Sequence, residues 1–165
     1  MKELLQIAIL LLAVSCQKES VEKSSAVENE TVYNVKKNVM LDLLNKTRRS
    51  GCLCGNTQMP PVPELAWNDT LARTAYLHSV DMQSKNFFSH TGSDGSSLSV
   101  RVDRQGFAWS SLGENIASGY ASDSAVVAGW LKSEGHCKNI MSASFRLVGA
   151  GRQQGLWTQV FARRR

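Results

Sequence analysis

The chain has 165 residues, 42% of them hydrophobic and 20% charged, and carries a net charge of +5. That is the composition of an ordinary globular protein, and the length limits it to one compact domain with a leader and a linker. The charge is uneven: residues 17–34 sum to −2 and residues 35–165 to +7. Such a basic body suits anionic headgroups or wall polymers. Nucleic acid is disfavoured because no aromatic platform motif accompanies the charge.

At the N-terminus an apolar run, Leu4 to Val14, follows Lys2 and ends at Ser15. It is shorter than the ~20 residues of a membrane-spanning helix and matches the core of an export signal over residues 1–15. Ala13-Val14-Ser15-Cys16 resembles a bacterial lipobox. Cys16 is accordingly expected to be lipidated and to tether an exported protein to the membrane of the cell envelope, since two or more acyl chains anchor stably. The absence of Asp after Cys16 points to an outer membrane if the cell has two. A plain secretory signal is the other reading. Residues 16–34 are polar, lack an apolar period, and are expected to form the acylated residue and a flexible tether.

The domain is expected over residues 35–165. Val35, Val39, Leu43 and Leu44 fall near one face of a first helix that Gly51 ends. Pro60, Pro61 and Pro63 impose an extended connection. Asn68 is positioned as the N-cap of a second helix, in which Leu71, Ala75, His78 and Met82 form a core stripe; there His78 reads as a hydrogen-bonded core histidine. Ser93-Asp94-Gly95-Ser96 is a turn, Leu98 to Gln105 a short helix, and Ser122 or Asp123 caps a helix through Trp130 to Lys132. A strand is expected at Glu114 to Ala117, and a hairpin joins Arg146–Gly151 to Leu156–Ala162.

Cys52, Cys54 and Cys137 sit in a chain expected to be exported, where disulfides form; three cysteines leave one unpaired, and spacing does not choose which. A zinc site from these three and His136 is a poor alternative, because Cys-x-Cys is tighter than the usual ligand spacing. The Gly-x-Ser-x-Gly elbow, His-Glu-x-x-His and the phosphate-binding Gly-x-x-x-x-Gly-Lys are all absent.

Three stretches carry chemistry: Asn86-Phe87-Phe88-Ser89-His90-Thr91-Gly92, Gly113-Glu114-Asn115-Ile116 and Gly135-His136-Cys137-Lys138-Asn139-Ile140. With Leu65-Ala66-Trp67-Asn68, they resemble the CAP superfamily, the SCP-like domain of cysteine-rich secretory proteins, antigen 5 and pathogenesis-related proteins, in its bacterial branch. The resemblance implies an α+β fold, a three-layer αβα sandwich around a small, mainly antiparallel sheet. It also implies a Cys54–Cys137 disulfide, with Cys52 the other candidate partner. The family's cleft has two histidines and two acids, and His90, Glu114 and His136 match three of those positions as ligands for zinc or another divalent cation. The fourth position falls on Ser133, where this chain has no acid, and Glu134 beside it is the candidate substitute. Asn115 and Asn139 are expected to satisfy backbone groups, and Cys137 to staple the fold while His136 faces the cleft from an extended segment. The expected function is binding of a lipid or envelope ligand by a monomer, with a metal-dependent hydrolase as the alternative.

Overall fold

A computed structural model describes residues 31–165. The expected signal at 1–15, Cys16 and most of the 16–34 tether lie outside the described residues. β1 (Thr31–Val32) and β2 (Val35–Lys36) pair as a short antiparallel hairpin. The end of the expected tether is therefore part of the fold: Tyr33 stacks on Tyr76, and its carbonyl accepts a hydrogen bond from the Arg152 amide.

α1 (Lys37–Ser50) buries Met40, Leu44, Asn45 and Arg48, whereas Val39 is exposed. Val35 and Leu44 of the expected face are buried and Leu43 is partly covered, so the stripe departs from expectation at Val39 and continues onto Asn45 and Arg48. The Arg48 guanidinium donates to the carbonyls of Pro63, Ile140, Ser142 and Phe145. Burial, with Arg146 nearby, pushes its pKa down to about 10. This one side chain ties α1 to the proline connection and to the end of a later helix, whose last carbonyls a cation satisfies well.

After α1 come the hairpin β3 (Cys52–Cys54) and β4 (Thr57–Met59) and the short strand β5 (Ala66–Trp67). α2 (Asp69–Lys85) starts where Asn68 accepts from the Leu71 amide and stops at Asn86, which is left-handed at φ 53°. α3 (Leu98–Asp103), β6 (Trp109–Ser118) and α4 (Asp123–Lys132, capped by Ser122) follow. Residues 134–140 then form a helix, α5 (Glu134–Ile140), where an extended segment was expected around His136 and Cys137. The chain closes with β7 (Leu147–Gln153) and β8 (Leu156–Arg164).

The main sheet runs β5-β7-β8-β6, with β5 parallel to β7 and the other pairs antiparallel. Period-two alternation sorts β8 between two cores. Trp157 and Phe161 pack with Trp130, Ile140 and Phe145 beneath α1, α4 and α5. Val160 and Ala162 pack with Leu71, Ala75, Val102 and Phe107 beneath α2 and α3. The product is the expected three-layer αβα sandwich.

Along β7, Val148 and Ala150 face the first core, while Gly149 and Gly151 face α2. A Cβ on Gly149 would lie 2.1 Å from the Ala72 amide nitrogen, and one on Gly151 2.4 Å from Tyr76 Cα. These glycines let the helix backbone lie directly on the strand. Cys54 and Cys137 form the expected disulfide between β3 and α5, and Cys52 is unpaired. No helix among the described residues is long and apolar enough to cross a membrane.

Candidate functional site

β6 is the open edge of the sheet, and the candidate residues gather around that edge. Glu114 shares a face with its register partner Val160, beneath α2 and α3, while Asn115 shares the opposite face with Gln159. Between them, the Glu114 carbonyl accepts a hydrogen bond from Asn139 Nδ2 of α5. α5 is thereby fastened along β6. Asn115 Nδ2 donates to the His136 carbonyl and to Gln159 Oε1, and Asn139 Nδ2 also reaches Asn115 Oδ1. Both asparagines satisfy structural polar groups, as expected from the sequence. Gly113 supplies the closeness: a Cβ there would meet Phe145 Cζ at 2.7 Å, and Phe145 is stacked on Phe161.

His90 comes from the loop between α2 and α3, which lacks regular structure yet is held at almost every turn. The Ser89 carbonyl accepts from His78 Nε2 at 2.9 Å. Asp81 accepts from the amide and hydroxyl of Ser93, Asp94 accepts from the Ser96 amide and Arg104, and Arg101 donates to the carbonyls of His90 and Ser96. Hydrogen bonds from Ser96 and then Arg104 hold the Asp94 carboxyl well below its usual range. His78 is the buried core histidine that the apolar stripe implied. Its Nε2 donates to Ser89, which leaves Nδ1 as a buried lone pair, and burial pushes its pKa down.

At the centre is the Glu114 carboxylate, 4% exposed. Its Oε1 lies 2.7 Å from His90 Nδ1 and its Oε2 lies 2.7 Å from Arg101 Nη2. Each oxygen thus holds one donor, and Glu114 braces His90 from behind. The imidazole of His90 is 58% exposed. With Nδ1–H donated to Glu114, its Nε2 carries the lone pair; the Glu114 bond raises the His90 pKa against the opposing effects of burial and Arg101. His136, on α5, is half-buried and close enough to sense His90, and burial followed by that neighbour lowers its pKa. The structure thus backs His90 with Glu114 of β6 and fastens α5, which carries His136, along the same strand.

Glu134 does not complete a four-residue cleft. It is about half exposed, pairs with Lys138 at 2.6 Å and packs against the turn at Gly55. Two residues along a helix turn a side chain through roughly 200°, which sends Glu134 away from the direction of His136. Ser133 is the extended joint between α4 and α5. The functional residue that sequence reasoning missed is Arg101, which clamps both Glu114 and the His90 loop. Its signal is faint, an arginine in a short amphipathic helix. Among the described residues, the group of three or more His, Cys, Asp or Glu donors close enough to hold one ion is Cys52, Cys54 and Cys137, and two of those sulfurs are bonded to each other.

Two hollows flank the loop. A cavity of about 240 Å³ is lined by His78, Asp81, Arg101 and Arg104. An open groove of about 450 Å³ is lined by polar Gln83, Asn86 and Ser118 as well as apolar Met82, Phe87, Phe88 and Leu156.

The sequence pattern of the CAP family, the cysteine-rich secretory protein family, matches residues 41–161. The chain belongs to the CAP family. It is 37% identical over 101 residues to the uncharacterized membrane protein YlbC and 36% identical over 96 residues to the uncharacterized protein YkwD, both of Bacillus subtilis. Those alignments cover 61% and 57% of this chain but 29% and 37% of the relatives. A crystal structure of an extracellular protein containing an SCP domain from Bacillus anthracis superposes with a TM-score of 0.67 at 34% identity, covering 76% of this chain and 39% of that one. The CAP domain therefore spans about a third of the length of the curated relatives it matches. An outer surface protein of Borrelia burgdorferi, 18% identical, shares the fold at a TM-score of 0.66.

Proposed function

We propose that this CAP domain is a binding module of the cell envelope. His90 and His136 form the polar end of a shallow cleft that takes a divalent cation, zinc being the first candidate, or the headgroup of an amphipathic ligand such as a lipid. The observation that carries this reading is the 2.7 Å contact of His90 Nδ1 with the buried Glu114. A carboxylate behind a histidine fixes its tautomer, aims the other nitrogen outward and raises its basicity, which is the arrangement found behind metal-ligating histidines. Burial keeps His136 in the neutral form that ligation requires. His90 and His136 would hold the ion, Glu114 and Arg101 would orient His90, and the ion when bound would supply positive charge for anionic oxygens.

The neighbouring groove mixes apolar Met82, Phe87, Phe88 and Leu156 with polar Gln83, Asn86 and Ser118, which suits an amphipathic ligand, and the segment from Phe87 to His90 leads from groove to cleft. The envelope setting is supported by the resemblance of residues 1–16 to an export signal ending in a lipobox cysteine, and by the descriptions of the extracellular B. anthracis protein and the B. subtilis membrane protein. A hydrolase with Glu114 as general base has less support, since both carboxylate oxygens are already engaged.

Side-chain nitrogen NMR of the full-length protein tests the reading. Added zinc should shift Nε2 of His90 and a ring nitrogen of His136 while leaving His78 unmoved; zinc that perturbs neither histidine would refute the cation reading and leave the headgroup reading to the vesicle assay. In vesicle flotation, Phe88→Asp should weaken binding without altering the zinc response.

A further inference from the structure

Three sulfurs meet where β3 touches α5. Cys54 and Cys137 are bonded, and the thiol of Cys52 lies 3.6 Å from Cys137 Sγ and 3.8 Å from Cys54 Sγ. Cys52 and Cys54 are two residues apart on one strand, so their side chains leave the same face, and both reach α5. Both bridge cysteines are fully buried, whereas Cys52 is only partly covered. Nothing in the packing singles out Cys54 as the sole partner within reach.

We propose that Cys52, Cys54 and Cys137 form a thiol–disulfide exchange site, in which the Cys52 thiolate displaces Cys54 from Cys137 and the chain interconverts between two bridges. The step balances within the molecule. Cys52 gives its proton to solvent and attacks Cys137 Sγ; the Cys52–Cys137 bond forms as the Cys54–Cys137 bond breaks, and Cys54 leaves as a thiolate that takes a proton back. One disulfide and one thiol are present before and after, so no oxidant or reductant is consumed.

Two features set the rate. The nearly equal distances place the thiol broadside to the bridge, and displacement needs attack along the sulfur–sulfur axis, so Cys52 must rotate about χ1 before reacting. Burial also raises the Cys52 pKa, which keeps most of it protonated at neutral pH. Exchange should therefore be slow at neutral pH and accelerate about tenfold per pH unit until the thiol ionises. The swap moves the anchor of α5 by two strand residues, about 6.6 Å along β3, and His136 adjoins that anchor. The two bridge isomers therefore hold the cleft histidine differently.

The test maps the bridge in the full-length protein. Samples incubated at pH ~9, above the ordinary thiol pKa of about 8.5, are quenched in acid, digested without reduction and fragmented between Cys52 and Cys54 by tandem mass spectrometry. Both Cys54–Cys137 and Cys52–Cys137 peptides are expected, the second growing with time and pH; only Cys54–Cys137 after prolonged incubation would overturn the proposal. Cys54→Ser should form the Cys52–Cys137 bridge and fold. If that variant folds with Cys52 and Cys137 both alkylated by iodoacetamide under denaturing conditions, the proposal fails; if it does not fold, the wild-type map decides alone.

Discussion

Arg101 and Glu114 are 9% and 4% exposed, and Arg101 also carries the carbonyls of His90 and Ser96. Removing the guanidinium leaves a buried carboxylate without its charged partner, which typically costs about 3–5 kcal/mol. Arg101→Ala should lose that much in urea unfolding, and Arg101→Lys should recover little, since an ammonium cannot span three acceptors in a planar fork. The histidines give a pH signature. His90 has its folded pKa raised above 6.5, so its contribution to stability is full below 6.5 and is lost as pH rises through the raised value. His78 and His136 have theirs lowered, so their contributions are full above 6.5 and are lost as pH falls through the lowered values. NMR titration should find His90 titrating above the other two, and Glu114→Gln should bring it back toward 6.5. An unchanged His90 in that variant would show that Glu114 does not tune it.

Element by element, the sequence is legible where local rules and packing agree. Asn68, Ser122 and the 3.6-residue stripe of α2 marked two helices, and the strand runs at 146–151 and 156–162 marked the final hairpin. It is misleading where the energy comes from across the fold. The burial of Arg48 in the last turn of α1 depends on four distant carbonyls, and any hydropathy pattern scores that residue as surface. α5 contains Gly135 and has no side-chain N-cap, so its helical form follows from the Cys137 bridge and the Asn139 contacts with β6. The Val-Gly-Ala-Gly run of β7 reads as a weak strand, yet its glycines are what bring α2 onto the sheet. Gly149→Ala would force a methyl into the Ala72 backbone, and overpacking of this kind costs about 1–3 kcal/mol or more. A melting temperature several degrees lower, with β6 and α5 unaffected in hydrogen exchange, is the expected outcome; an unchanged melting temperature would mean that α2 can lift from the strand freely.

At the scale of the molecule, one bridge of sequence separation 83 closes most of the domain into a loop. In the chain-entropy view such a closure contributes about 4.5 kcal/mol. Cys137→Ser removes both possible bridges and should cost about that, whereas Cys54→Ser should cost less because Cys52 remains in reach; equal losses would show that the second bridge adds nothing. The family's His/Glu set was visible in the sequence, but the division of labour within it was not. Which carboxylate oxygen meets which donor depends on Arg101, on a helix that the sequence does not connect to the site. The proposed cleft rests on His90 and His136, with the Glu114 carboxylate buried behind His90. Isothermal titration of zinc into the full-length protein, beside the His90→Ala/His136→Ala double variant, tests this most directly. One zinc per chain, lost in the double variant and weakened about 10- to 100-fold in Glu114→Gln, is the expected result. No zinc bound by the wild type, or equal binding by the double variant, would contradict the assignment of the cleft as a metal site.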